Sequence, residues 1–154
     1  MARTSGAERI PAAVASSLGD CACFNARSAA RAITDLYDQT LAPSRLRATQ
    51  FAILAAIHLQ AGGAMQTVAS ELGLDPSTMT RVLRPLEEGG LVTVETGAGG
   101  RAKQVELTSL GRKKLAEAHR LWEKAQERLR EKLGDRVFER VVKDLGAVQR
   151  ALAK

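Results

Sequence analysis

From residue 14 onward, apolar side chains recur at steps of three and four in six blocks, punctuated by glycine and proline. Val14, Leu18, Cys21, Ala29, Ala32, Ile33, Leu36 and Tyr37 keep one stripe, which predicts a helix from Val14 to about Leu41, closed by Pro43. Phe51, Ile53, Leu54, Ile57 and His58 predict a short, mostly buried helix from Thr49 to Gln60, ended by Gly62 and Gly63. Met65, Val68, Ala69 and Leu72 share the face of a third helix, and Gly73 stops it. Asp75 and Pro76 then read as N-cap and first helical position of a fourth, which runs to about Glu88 with Pro85 near its end. Leu91–Glu95 and Val105–Thr108 alternate as paired strands around a glycine-rich tip, residues 97–103. Beyond them Leu115, Ala118, Trp122, Ala125, Leu129 and Leu133 predict a long helix whose seam wants a partner. Val137, Val141, Leu145, Val148 and Leu152 predict a final amphipathic one.

The fourth helix has two unlike faces. At about 100° per residue, Met79, Val82, Leu83 and Leu86 share one side, and Ser77, Arg81 and Arg84 take the other with Thr78 and Thr80 beside them. That outer face carries hydroxyls and arginines, and its N-terminal half has no acid beyond the cap. Such side chains reach phosphates and base edges from a helix lying in the major groove. Hydroxyls and amides near a helix start also suit phosphate. The tip of the hairpin adds Arg101 and Lys103, suited to minor-groove or backbone contact, and Arg45 and Arg47 stand ready for flanking phosphates. Helix, turn, helix and basic hairpin in this order form a winged helix-turn-helix, a DNA-reading module.

Charge qualifies the picture. The chain of 154 residues has a formal charge of +6, yet residues 65–108 hold four cations against six acids, and residues 109–154 hold thirteen against seven. DNA binding therefore rests on where Arg81, Arg84, Arg101 and Lys103 point, while the remaining charge assists long-range association with a polyanion. Aromatic residues make up only 3%, so Ala and Leu carry the packing, which suits helices. No apolar run approaches ~18 residues, so no membrane span is expected. Residues 1–13 read as a flexible arm rather than a signal peptide. Two histidines, no phosphate-cradling glycine loop and no His-carboxylate cluster argue against an enzyme, and no cofactor or metal site is expected.

The run Asp75-Pro76-Ser77-Thr78-Met79-Thr80-Arg81-Val82-Leu83, with Leu86-Glu87, Gly90-Leu91-Val92, Val105-Glu106-Leu107-Thr108 and Gly111, resembles the MarR family of bacterial transcriptional regulators. Thr49-Gln50-Phe51 with Leu54 is similar to the family's helix before the reading head. Gly99 departs from the family pattern, which carries an Asp two residues before the wing arginine. The resemblance implies a mainly α fold with a small β-hairpin wing and N- and C-terminal dimerisation helices. The expected divisions are arm 1–13, dimerisation helix 14–44, DNA-binding lobe 45–108 and dimerisation helices 109–154. A second copy would cover the leftover apolar faces and supply two reading heads for a pseudo-palindromic operator. The family's effector cleft, between dimer helices and reading head, would be lined here by Arg27, Arg31, Tyr37, His58 and Trp122, a set suited to an anionic aromatic. On its own, His58 reads more simply as a core histidine.

Three functions follow as expectations. The first is a cytoplasmic, nucleoid-associated homodimeric repressor of double-stranded DNA, released by a small-molecule effector. The second is a peroxide-sensing repressor, because Cys23-Phe24 lies fourteen residues before Tyr37 in a way similar to one branch of the family. Cys21 and Cys23, two apart on a helix, point about 200° from each other and would not pair; small apolar fillers are the plainer account of both. The third is a winged-helix protein-interaction module that binds no DNA.

Overall fold

The computed structural model describes residues 17–97 and 101–152. The expected arm 1–13, Val14 and positions 98–100 of the hairpin tip lie outside the described residues, as does the side chain of Arg101. Contacts divide the chain into two units, Met1–Asp35 and Leu36–Lys154.

In the first unit, helix α1 (Ala22–Leu41, continuing into the second unit) begins later than its apolar stripe suggests. Residues 18–21 form a turn closed by the Cys21 amide on the Leu18 carbonyl at 3.2 Å. The Asn25 amide group donates to the carbonyls of Gly19 (2.7 Å) and Cys21 (3.2 Å), which holds that turn against the helix start. A helix continuous from Val14 is thus corrected to one that starts after Cys21. Leu18 and Phe24 are both exposed here.

The second unit holds the core. Leu41 closes α1, and a single 3-10 turn, Ala42–Ser44, leads to Arg45, whose φ of 58° reverses the chain. Helix α2 (Ala48–Leu59) buries Phe51, Ile53, Leu54 and Ile57 against α5 (Ser109–Leu133) and strand β3 (Arg101–Leu107). Contrary to the reading of His58 as a core residue, it is exposed, at the outer edge of the last turn. Helices α3 (Met65–Glu71) and α4 (Pro76–Glu88) are joined through Gly73 at φ +62°, with the Leu74 amide donating to the Ala69 carbonyl at 2.8 Å.

The antiparallel sheet has the order β1-β3-β2, with β1 at Gly63–Ala64 and β2 at Val92–Gly97. Two residues give no alternation to detect, so β1 is invisible in the pattern; Gly63 pairs with Val105. The return strand begins earlier than Val105, so Lys103 stands in the ladder opposite Thr96 rather than in a loose tip, and a bulge lies at Thr96/Gly97.

The joint between the hairpin and α5 is tight. Thr108 caps α5 by accepting from the Gly111 amide (2.9 Å) while its hydroxyl donates to the Gly90 carbonyl (2.6 Å). A Cβ on Gly111 would meet the Leu91 carbonyl oxygen at 1.9 Å, so only glycine lets the helix start this close to that strand. On α5, Leu115 and Ala118 belong to the lobe's own core, and Trp122 stacks on Phe51 with ring centroids 6.0 Å apart. Much of the seam expected to need a partner helix is therefore used within the chain. Helix α6 (Asp135–Leu152) buries only Phe138, under the Arg130 guanidinium at 4.4 Å. Its Val142, Leu145, Val148 and Leu152 are 49–76% exposed, an apolar stripe that no described residue covers. No helix among the described residues is long and apolar enough to cross a membrane.

Gly111→Ala is expected to destabilise the fold by about 1–3 kcal/mol, since the clash is with backbone that cannot move aside. Thermal unfolding followed by circular dichroism measures it, and an unchanged Tm would refute the close approach.

Candidate nucleic-acid interface

Helix α4 is held from below. Met79, Leu83 and Leu86 are at most 2% exposed, packed with Val68, Val92 and Val105. Burial of three such side chains, at roughly 1.5–3 kcal/mol each, fixes the helix about its axis and turns the opposite face outward. Ser77, Thr80, Arg81 and Arg84 lie along that outward face at i, i+3, i+4, i+7, and all four are exposed. Pro85 sits on the exposed side in the last turn, where the unpaired Arg81 carbonyl it creates can be met by water.

The start of α4 is organised by Asp75. One carboxylate oxygen accepts from the amides of Ser77 (3.0 Å) and Thr78 (2.9 Å) and from the Ser77 hydroxyl (2.5 Å); the other accepts from the Thr78 hydroxyl (2.6 Å). The hydrogen bonds from the Ser77 and Thr78 side chains hold the Asp75 carboxyl well below the usual carboxylate range. One turn on, the Thr80 hydroxyl donates to the Pro76 carbonyl at 2.9 Å. The hydroxyl protons that sequence reasoning offered to phosphate are all given to the protein itself. Asp75 was legible as a cap, but its hold on two hydroxyls was not.

The cations differ in their freedom. Arg81 has no hydrogen-bond or ion-pair partner among the described residues, and its side chain stands free. Arg84 donates through Nε to Glu88 at 2.8 Å, which leaves both Nη groups to face outward and raises its pKa. Arg47 bonds Asp38 at 2.9 Å, and the second Asp38 oxygen takes the Ala48 amide at 2.7 Å, so Arg47 also helps start α2. Lys103 is exposed on β3. The fate of Arg101's side chain lies outside the described residues.

The expected effector residues are spread over two units. Arg27 and Arg31 are exposed on the part of α1 in the first unit. In the second, His58 and Trp122 line one cleft of about 740 Å³ between α2 and α5, together with Phe51, Arg112, His119 and Arg120. Tyr37 does not line it; its hydroxyl donates to Gln126 at 2.8 Å, and burial pushes its pKa up. His119 and Arg120 escaped the sequence reading, although their position beside Trp122 on the seam helix was the available signal. Cys21 is half-buried in the turn before α1, and Cys23 is exposed in the first helical turn, both as free thiols. The premise that both sit inside one helix is corrected accordingly. Among the described residues no cluster of three or more His, Cys, Asp or Glu is arranged for a metal ion.

The chain is similar to known transcriptional regulators. The model of the MarR family matches residues 46–98, from the start of α2 to the hairpin. The M. tuberculosis transcriptional regulator MosR, solved in complex with DNA, is 38% identical over 85% of this chain and 95% of that one, with a TM-score of 0.76. A MarR-family transcriptional regulator from Rhodococcus sp. RHA1 is 27% identical over 85% and 94%, with a TM-score of 0.73. CouR from Rhodococcus jostii RHA1, bound to p-coumaroyl-CoA, is 27% identical over 85% and 93%, with a TM-score of 0.71. No curated protein matches the chain.

Replacing Asp75 by Ala is expected to lower Tm, and the pH dependence carries the sign. A carboxyl whose pKa is depressed on folding contributes fully above its unfolded value, about 3.9, and loses that contribution only as pH falls below it. The Tm difference between wild type and Asp75→Ala should therefore stay constant from pH 7 to about pH 5 and shrink toward pH 3. A difference that already fades between pH 7 and pH 6 would contradict the hydrogen bonds described.

Proposed function

The chain belongs to the MarR family of transcriptional regulators, and we propose that it is a sequence-specific repressor that binds double-stranded DNA as a homodimer and leaves it when a small molecule binds. The observation that carries this reading is the outward stripe of α4, with the unpartnered Arg81 and the outward-facing Nη groups of Arg84 above a rigidly packed inner face. A helix so held presents cations to a major groove from a fixed backbone, so only the side chains remain to be ordered. Lys103 on the wing strand, with Arg101 beyond it, would follow the neighbouring groove or backbone. Arg47 would reach flanking phosphate only by sharing itself with Asp38. Ser77, Thr78 and Thr80 would take part at the start of α4.

Two copies would join through the uncovered stripe of α6 and the terminal residues before the lobe, in the arrangement that suits a two-fold operator. MarR regulators act as dimers, and this chain exposes the apolar surface that such an assembly needs. That reading puts the protein in the cytoplasm, with the bacterial chromosome.

For the effector, the cleft between α2 and α5 has an aromatic floor, Phe51 on Trp122, and a rim with Arg120 and two histidines. An anionic aromatic or acyl compound fits that chemistry, and CouR bound to p-coumaroyl-CoA is a relative with a ligand of this kind. Because α2 and α5 also bear the core beneath the reading head, a ligand that parts them would alter the spacing of two heads.

Arg81→Ala should weaken binding to a selected operator on the order of tenfold, with Tm unchanged, in fluorescence anisotropy titrations. Its salt dependence separates a base contact from a phosphate contact, since loss of a phosphate contact lowers the slope of log K on log salt by about one. If duplex affinity is negligible and insensitive to salt in the wild type, a protein-binding module is the better reading. Trp122, the single tryptophan, reports the cleft: its fluorescence should change on titration with p-coumarate or its coenzyme A thioester, and Arg120→Ala should weaken that response. No response to aromatic or acyl anions would remove the proposed effector class.

A further inference from the structure

The outward stripe of α4 changes hydrogen-bond polarity along its length. Its first two members, Ser77 and Thr80, are hydroxyls whose protons are already committed, to Asp75 at 2.5 Å and to the Pro76 carbonyl at 2.9 Å. Thr78 is committed likewise, to the second Asp75 oxygen. Each oxygen keeps lone pairs, so each offers an acceptor and no donor. The last two members, Arg81 and Arg84, offer donors and no acceptor. Phosphate oxygens are acceptors, and a hydroxyl with its proton spent has nothing to give them. The Asp75 carboxylate also occupies the place at the helix N-terminus where a phosphate would otherwise take the amides, and its charge repels one.

Resting on the DNA-binding reading above, we propose that Ser77, its proton held by Asp75, and Thr80, its proton held by the Pro76 carbonyl, are acceptor-only readers of exocyclic amino groups, and that Asp75 sets base specificity at Ser77. In the major groove the available donors are adenine N6 and cytosine N4, whereas guanine O6 and N7 are acceptors. The half-site is then ordered: an adenine or cytosine under the start of α4, and acceptors, guanine edges or phosphates, under Arg81 and Arg84. Asp75 touches no base in this scheme and acts as a positioning residue through the hydroxyls it holds.

Selection of bound sequences from randomised duplexes tests this with the full-length wild type, Ser77→Ala and Asp75→Gly, glycine being an acceptable N-cap that leaves the hydroxyl protons free. The wild type should prefer adenine or cytosine at the position under Ser77. Ser77→Ala should lose that preference, by roughly three- to tenfold for one hydrogen bond. Asp75→Gly should admit guanine or thymine there and steepen the salt dependence of binding, as the freed amides and hydroxyls accept phosphate contacts. A Ser77→Ala loss that is the same for every base and vanishes when a neighbouring phosphate is made a methylphosphonate overturns the proposal, because the hydroxyl is then on the backbone. An unaltered preference in both variants overturns it as well. Failure of the wild type to prefer any duplex sequence sinks the DNA-binding reading itself, and that result is visible before either variant is compared.

Discussion

The burial of one face of α4 governs how the rest of the interface is presented. Met79, Leu83 and Leu86 are wedged between α3 and the sheet, and rotation of the helix about its axis would pull all three into water. Three anchors at i, i+4 and i+7 define both the angle and the height of the helix. Everything outward follows by geometry: Ser77, Thr80, Arg81 and Arg84 have no other direction to take. A backbone already arranged leaves only side chains to be ordered on contact, the free Arg81 among them.

The wing depends on a second joint, between the end of α4 and the start of α5. Gly90 at φ +67° turns the chain out of α4, the Thr108 hydroxyl ties the return strand to Gly90, and Gly111 lets α5 start against Leu91. Reading helix, wing and seam helix thus share one small backbone knot. Through the Phe51–Trp122 stack, α5 is in turn linked to α2. A change in the α2–α5 cleft is therefore mechanically close to the reading head without any long chain of contacts.

The sequence disclosed what periodicity and caps can disclose. The faces of α4 were readable because Met79, Val82, Leu83 and Leu86 recur at helical steps and because Asp-Pro is an unusually explicit helix start. Strand β1 was not readable, since two residues opposite Val105 and Gln104 leave no alternation. The start of α1 was misplaced because apolar residues continue before Cys21 while the Asn25 side chain closes a turn there. His58 looked buried because it shares a helix with Ile53, Leu54 and Ile57, yet the helix face it occupies is the one left open. At the interface, charges were legible and hydrogen-bond direction was not. That Ser77 carries a hydroxyl is plain from the residue; that its proton points at Asp75 is a matter of rotamer and spacing.

The acids around the reading head acquire a role once their positions are known. Residues 65–108 carry more acids than cations, an odd balance for a surface meeting a polyanion. Asp75 closes the helix N-terminus to phosphate, and Glu88 takes one face of the Arg84 guanidinium. Both would lower the affinity available from backbone charge alone, which every duplex offers equally. Neither blocks the outward Nη groups of Arg84 or the free side chain of Arg81. Discrimination is a difference between two affinities, and weakening the indiscriminate one widens it as surely as strengthening the specific one. On the proposed reading, the cations gathered in residues 109–154, outside the reading helix, would supply the long-range attraction instead, which speeds encounter without rewarding a wrong sequence.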